Sequence, residues 1–270
     1  MAGLFCTVFA LSIASAGGRT DASAGKQTEL IVFAAASMTE TLNEISTLYA
    51  KAAPNVKLVF NFDSSGTLKT QIQQGADCDL FISAGQRQVD QLDITAPATV
   101  NTEGLDFILA SSRVNLLENR VTLVVPGGNP KNIKDLSGMA QALSRGQILL
   151  AMGNNDVPVG QYTQSILQYF RLDERALASA GRISYGSNVK EVTTQVTEAS
   201  VDCGIIYCTD AYSAGLQVVD YATTDMCGRV IYPAAVLKTS KNREAAQAFL
   251  NYLSTPAAMA VFEKVGFSKP

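Results

Sequence analysis

The sequence predicts an α/β protein made of two lobes. Short apolar segments alternate along the chain with segments whose apolar residues recur every three or four positions. This alternation of strands and amphipathic helices is typical of mostly parallel sheets flanked by helices. A Pro-Gly-Gly-Asn-Pro break at 126–130 follows one strongly apolar strand, and Ile231-Tyr232-Pro233 lies inside a later one. We interpret these two strands as the crossings between the lobes.

The chain length allows either one large domain or two medium ones. Its 270 residues, 47% of them hydrophobic, can bury one large core or two smaller cores. We expect residues 27–118 together with residues 230–270 to form the first lobe, and residues 119–229 to form the second. A single continuous domain is the alternative.

The individual elements follow from the same patterns. The apolar segments predict strands at 30–35, 56–62, 79–83, 121–125, 147–152, 182–185, 204–207 and 230–237. The periodic segments predict helices at 37–52, 67–74, 159–170, 189–199, 243–253 and 256–265. Ser37 stands between the first strand and the first helix, and we predict that it caps that helix.

Composition excludes several classes of function. The net charge is −3 without a basic block, so nucleic acid and acidic membrane surfaces are poor partners. The chain has no His, which excludes a Ser-His-Asp triad, a Cys-His pair and imidazole metal sites. We expect no cofactor and no direct metal ligand.

The N-terminal residues 1–26 differ from the rest of the chain. An apolar run at 4–13 is too short to span a bilayer, which takes about 20 residues. Ala14-Ser15-Ala16 follows it, and this favours a secretory signal or lipoprotein leader and an extracytoplasmic mature protein. A disordered start is the alternative.

The five cysteines show no CxxC spacing, which argues against a zinc or iron–sulfur site. Cys203 and Cys208 lie five positions apart in a predicted strand and would face opposite sides of it. We expect buried free thiols, with one disulfide as the alternative in an exported protein.

Four predicted strand-to-helix junctions share one chemistry. They lie at Ser37, at Ser65, at Val159 and at Val189, and Tyr207 ends a further predicted strand. The first N–H groups of a helix have no partner within it, and the helix dipole makes that end positive. Such ends bind anions without Arg or Lys. The alternative for each junction is purely structural: the serines cap helices and the tyrosine packs in the core.

The segments at these junctions resemble a known family. VFAAASMTE, FDSSGTLKTQIQQGADCDLFISA, DVPVGQYTQ, SNVKE, GIIYCTDA and YPAAVL, in this order, are similar to segments of the periplasmic molybdate-binding proteins of ABC importers. The resemblance runs from about Glu29 to Gly266-Phe267. It implies a two-lobed periplasmic-binding-protein-like fold that closes on molybdate or tungstate in the interlobe cleft.

The resemblance also implies the ligand groups and partners. Ser37 and Ser65 would bind the anion through hydroxyl and N–H groups, Val159 and Val189 through N–H groups, and Tyr207 through its hydroxyl. The implied protein is a monomer that docks to a membrane permease, with or without a lipid anchor.

Some positions depart from the family pattern, among them Val159, where a smaller Ala is common. Asp63 stands where small uncharged residues are usual, and we expect its carboxylate to face solvent or to cap the helix. Lys190-Glu191 after Val189 offers no clear contribution to binding.

Other functions stay open at this point. The same fold could bind sulfate or phosphate. A hydrolase with a Ser or Cys nucleophile would need a Lys base, because the chain has no His. A sensor domain is a further alternative.

Overall fold

The structure is a computed structural model and describes residues 27–270. The predicted leader at 1–26, and Cys6 within it, lie outside the described residues. In the described part, no helix is both long enough and apolar enough to cross a membrane.

The described chain forms ten strands and eleven α-helices, numbered here along the chain. The strands are β1 (Thr28–Ala35), β2 (Val56–Asp63), β3 (Leu80–Ile82), β4 (Val114–Asn119), β5 (Val121–Val125), β6 (Leu150–Gly153), β7 (Ile183–Gly186), β8 (Cys203–Tyr207), β9 (Gln217–Tyr221) and β10 (Val230–Val236). The helices are α1 (Thr39–Ala52), α2 (Ser65–Gln73), α3 (Gln86–Asp90), α4 (Leu136–Ser144), α5 (Pro158–Tyr169), α6 (Glu174–Ser179), α7 (Val189–Thr197), α8 (Cys208–Ala214), α9 (Thr224–Cys227), α10 (Arg243–Leu253) and α11 (Pro256–Val265).

The strands form two five-stranded sheets, which confirms the predicted α/β architecture. The strand order is β2-β1-β3-β10-β4 in the first sheet and β7-β6-β8-β5-β9 in the second. Strands β1, β2 and β3 are parallel, β10 is antiparallel to β3, and β4 is antiparallel to β10. The second sheet repeats this arrangement, with β5 as its reversed strand. Each sheet is therefore mostly parallel, and the carboxyl ends of its central strands lie at one edge.

The chain passes between the sheets at two places. Strand β4 belongs to the first sheet and ends at Asn119, and β5 begins in the second sheet at Val121. The return lies between β9 in the second sheet and β10 in the first. The prediction that β5 and β10 are themselves the crossings is therefore wrong, because each lies in one sheet and the chain crosses just before it.

The C-terminal helices pack beside the first sheet. Helices α10 and α11 pack against α1. The ring of Tyr49 lies 4.8 Å from the ring of Phe249 and 4.9 Å from that of Tyr252. This aromatic cluster buries the apolar face of α1 near the C-terminal end of the helix.

The elements that the sequence did not predict are short. Strands β4 and β9, with helices α3, α4, α6, α8 and α9, were not predicted. Strands β4 and β9 lie at sheet edges and bury only part of their surface, so they lack a long apolar run.

Two predictions about single residues are wrong. Ser37 does not cap α1: residues Ala36–Met38 form a 3₁₀ turn, α1 begins at Thr39, and the Ser37 hydroxyl is bonded to Tyr232 instead. Cys208 is not in a strand with Cys203, because it begins α8. The cysteines in the described part of the chain are free thiols, three of them buried and Cys227 partly exposed.

Candidate functional site

A small cavity lies between the carboxyl ends of the two sheets. The structure brings all five predicted site residues to its wall: Ser37, Ser65, Val159, Val189 and Tyr207. Each of them is at most 4% exposed. The remaining lining residues are Ala35, Ala36, Asp63, Ser64, Ala84, Val157 and Pro158. Elements of both sheets therefore contribute to one enclosed site.

Ser37 reaches the cavity from the 3₁₀ turn that follows β1. Its Oγ lies 2.9 Å from the hydroxyl oxygen of Tyr232 on β10. Tyr232 is fully buried and also accepts a hydrogen bond of 3.1 Å from the Asn119 side-chain amide. The Ser37 hydroxyl is thus held by neighbours within the protein, which fixes its position beside the cavity.

Ser65 is the first residue of α2, and its neighbours leave its hydroxyl proton unused. Ser64 caps the helix by accepting a hydrogen bond from the Thr67 N–H at 3.2 Å. The Ser65 Oγ accepts a hydrogen bond of 2.9 Å from the Ala84 N–H. Since that bond uses only a lone pair of Ser65, its own proton is available for a ligand.

Asp63 does not cap α2, and it is partly exposed to solvent. It lines the cavity, and its Oδ1 accepts a hydrogen bond of 2.7 Å from the Ser64 N–H. The cap is supplied by Ser64, whose side chain is closer to the open N–H groups of the helix. An acidic residue therefore lies at a site that is otherwise rich in donors.

The start of α5 presents main-chain N–H groups from the second lobe. Pro158 occupies the first helical position and has no N–H, so the series of donors begins with Val159. Gly160 allows this helix to approach the end of β6 closely, because a Cβ atom there would lie 2.3 Å from the carbonyl oxygens of Gly153 and Asn154. The close approach seats the Val159 N–H at the carboxyl end of the second sheet.

The start of α7 is capped in a way that leaves its first donor open. The Asn188 side chain accepts hydrogen bonds from the N–H groups of Lys190 and Glu191, at 3.0 and 3.1 Å. Val189 is the first residue of the helix and lies between the cap and these two residues. A first-turn N–H has no partner within its own helix, so the Val189 N–H remains free for a ligand.

Tyr207 ends β8 and closes the cavity from the second lobe. Its ring packs edge-on against Tyr232 and Tyr162, with ring centroids 5.7 and 6.4 Å apart. Its hydroxyl donates only a long hydrogen bond, 3.5 Å, to the Ala84 carbonyl. Burial raises the pKa of Tyr207 well above its ordinary value, and the neighbouring Tyr232 adds to the effect. The hydroxyl is therefore a protonated donor with a weak partner.

The positive potential of the site comes from main-chain groups. No Lys or Arg is among the lining residues that the structure describes. The starts of α2, α5 and α7 all meet the cavity, and each contributes the partial positive charge of a helix N-terminus. An arrangement of this kind suits an anion and offers it hydrogen bonds rather than a counter-charge.

Contacts across the cleft include a group of charges that the sequence did not predict. The Lys190 ammonium on α7 lies 2.8 Å from the Glu40 carboxylate on α1 and 3.2 Å from Asp210 on α8. The side chains of Gln88 on α3 and Gln161 on α5 are hydrogen-bonded at 3.3 Å. These contacts join the two halves of the molecule on either side of the cavity, so the cleft in this structure is closed. Sequence patterns gave no signal for them, because the partners lie far apart in the chain.

The described residues offer little to the hydrolase alternative. Burial raises the pKa of the thiols of Cys78, Cys203 and Cys208, and it raises the pKa of Cys227 to about 11. All four are therefore thiols rather than nucleophilic thiolates at neutral pH. Within residues 27–270, no cluster of three or more Cys, Asp or Glu side chains could hold a metal ion.

The chain is similar to known proteins over nearly its whole length. The chain is 33% identical over 264 residues to the molybdate-binding protein ModA of Escherichia coli K12, covering 96% of this chain and 95% of that protein. It is 31% identical over 264 residues to the putative ABC transporter substrate-binding lipoprotein YvgL of Bacillus subtilis, covering 97% and 95%.

Solved structures agree in fold. The periplasmic molybdate-binding protein of Azotobacter vinelandii superposes with a TM-score of 0.74 at 22% identity, over 89% of this chain and 99% of that one. The model of the family described as bacterial extracellular solute-binding protein matches residues 30–268. The chain therefore belongs to the bacterial extracellular solute-binding proteins.

Proposed function

We propose that this protein captures molybdate or tungstate in its interlobe cavity and delivers the anion to the membrane permease of an ABC importer. The observation that carries the proposal is the convergence of Ser37, Ser65, Val159, Val189 and Tyr207 from two lobes on one buried cavity. Similarity to a molybdate-binding protein supports the choice of anion.

The proposed ligand groups suit a doubly charged tetrahedral anion. Two donors from each serine, one from each valine and one from Tyr207 would give seven hydrogen bonds. Hydrogen bonds to a charged partner contribute about 1.5–3 kcal/mol each, so the gross gain is roughly 10–20 kcal/mol. Removing water from a dianion opposes most of this gain, and the remainder is the binding affinity.

Neutral donors also suit transport. They hold the anion without an opposite charge that would slow its release to the permease. Selection against sulfate follows from size, because a smaller anion cannot reach every donor at hydrogen-bond length.

The proposal extends to the lobes, the location and the oligomeric state of the protein. The lobes are residues 27–118 with 230–270, and residues 119–229. The protein works outside the cytoplasm, in agreement with its family, as a monomer without cofactor or catalytic activity. A lipid anchor would keep it close to the permease.

Phosphate is a second candidate ligand, and Asp63 is the observation that favours it. Hydrogen phosphate carries a proton that requires an acceptor, and the Asp63 carboxylate lines the cavity. Competition calorimetry with molybdate, tungstate, sulfate and phosphate separates the candidates. A preference for phosphate would reverse the order proposed here.

Substitutions at the site test the proposed roles. We expect Ser37→Ala, Ser65→Ala and Tyr207→Phe each to weaken molybdate binding by about 1–3 kcal/mol, because each removes one hydrogen bond to a charged ligand. Ser144→Ala is the matched control, since Ser144 is exposed at the end of α4 and does not line the cavity. Calorimetry measures all four. Parental affinity in all three site variants would show that the site is misplaced.

A further inference from the structure

A chain of hydrogen bonds connects the cavity to the first crossing between the sheets. The Oγ of Ser37 lies 2.9 Å from the Tyr232 hydroxyl oxygen, and the Asn119 amide nitrogen lies 3.1 Å from the same oxygen. All three side chains are buried, with exposures of 4%, 0% and 3% in that order. Water therefore does not compete for these bonds.

The direction of donation along these hydrogen bonds is fixed at Asn119. Its Oδ1 accepts a hydrogen bond of 2.8 Å from the Arg120 main-chain N–H, a group that can only donate. The Cys208 thiol donates to the same oxygen at 3.1 Å. The amide NH₂ must therefore face the other way, where it donates to the Tyr232 hydroxyl and, at 3.0 Å, to Thr209 Oγ1.

This orientation determines where the protons of Tyr232 and Ser37 point. The NH₂ group of Asn119 cannot accept a hydrogen bond, so of the two groups that lie 2.9 and 3.1 Å from the Tyr232 hydroxyl oxygen only Ser37 Oγ can accept its proton. When Tyr232 donates to Ser37, the proton of Ser37 is left to point into the cavity. Burial raises the pKa of Tyr232 well above its ordinary value, so the phenol keeps its proton.

We propose that Tyr232 and Asn119 are positioning residues that make the Ser37 hydroxyl an obligate donor to the bound oxyanion. This inference rests on the proposed function, because it assigns a role to neighbours of the same site. A hydroxyl with its proton directed in advance needs no reorientation when the anion arrives, and it favours a ligand that only accepts hydrogen bonds. Molybdate at neutral pH is such a ligand, whereas hydrogen arsenate is a tetrahedral dianion that carries one proton.

The test is a double-mutant cycle between Tyr232→Phe and Ser37→Ala, followed by calorimetry with molybdate and with arsenate at mildly alkaline pH. Tyr232→Phe keeps the ring that packs against Tyr207 and Phe267. We expect it to weaken molybdate binding about tenfold in the parent and to have no effect in the Ser37→Ala background. Arsenate binding should weaken much less, because the freed Ser37 oxygen can then accept the arsenate proton.

Tyr49→Phe is the matched control, since it removes the phenol hydroxyl of a buried tyrosine that lies outside the cavity. An equal loss from Tyr232→Phe in both backgrounds, or an equal loss for both anions, would overturn the positioning role. If the parent binds sulfate but neither molybdate nor tungstate, the proposed function fails, and the same cycle with sulfate still decides whether Tyr232 acts through Ser37.

Discussion

At the scale of single residues, the site consists of hydrogen-bond donors that neighbouring residues leave unused. Ser65 accepts from the Ala84 N–H, and Asn188 caps the N–H groups that follow Val189. In both cases the protein satisfies one part of a polar group and leaves a donor for the cavity. Asp63 is the exception, because it brings negative charge to the wall of an anion site.

Neutralising Asp63 should therefore tighten binding. We expect Asp63→Asn to increase molybdate affinity by about 1 kcal/mol, since it removes repulsion from a partly exposed carboxylate and keeps an oxygen for the Ser64 N–H. Calorimetry at low salt measures the change. Asp77→Asn is the control at an exposed position outside the cavity. Weaker binding by Asp63→Asn would mean that the carboxylate assists the ligand, as a protonated oxyanion would require.

The residues that the sequence could and could not predict differ in one physical respect. Ser37, Ser65, Val159 and Val189 lie at strand-to-helix junctions, which local periodicity locates. The hydrogen bond between Ser37 and Tyr232 joins residues 195 positions apart, so no local sequence pattern could predict it. Local patterns also could not show that the five residues share one cavity, which required the structure.

At the scale of elements, α2 contacts the loop before α5 directly across the cleft. A Cβ atom on Gly66 would lie 2.1 Å from the carbonyl oxygen of Asp156. Gly66 belongs to the first half of the molecule and Asp156 to the second. Glycine at this helical position therefore serves closure of the cleft rather than the conformation of α2.

Substituting Gly66 should separate closure from folding. We expect Gly66→Ala to weaken molybdate binding about tenfold or more, because the added methyl group keeps the lobes apart, while Ala favours the helix by up to about 1 kcal/mol. Calorimetry measures the affinity, and thermal unfolding without ligand measures stability. Gly127→Ala is the control, because a Cβ there meets open space. Unchanged affinity in Gly66→Ala would show that the binding-competent cleft is more open than this structure.

The contact between α7 and α8 predicts a dependence of stability on pH. Burial raises the pKa of Asp210 from 3.8 to about 6, although the Lys190 ammonium at 3.2 Å opposes the shift. The pKa of Lys190 is itself raised, despite its own burial, by the charges of Asp210 and Glu40. Burial outweighs the ammonium at this carboxylate, because both Asp210 oxygens are buried and lack a hydrogen bond of good geometry among the described residues.

The direction of the change in stability with pH follows from the raised pKa of Asp210. Between about pH 4 and pH 6 the folded state holds this proton and the unfolded state does not, so the stabilising contribution is present at low pH and is lost as pH rises through about 6. We expect the free energy of unfolding of the parent, relative to Asp210→Asn, to fall by about 2–3 kcal/mol over that range. Chemical denaturation across this pH range measures it. A constant difference, or one that grows with pH, would contradict the shift.

At the scale of the whole molecule, the two sheets repeat one arrangement and place their carboxyl ends face to face. The Glu40–Lys190 pair and the Gln88–Gln161 bond join the halves around the cavity. The chain crosses between the halves at two places, a connection that permits a hinge. A ligand that bonds to both halves makes all of its contacts only in the closed form, and it therefore favours that form.

X-ray diffraction from crystals grown with molybdate, recorded near the molybdenum absorption edge, tests whether the anion binds between the two halves. We expect one anomalous peak in the cavity, with the anion oxygens within hydrogen-bond distance of Ser37, Ser65, Val159, Val189 and Tyr207. A cavity without molybdenum, or an anion bound to groups of only one lobe, would contradict it.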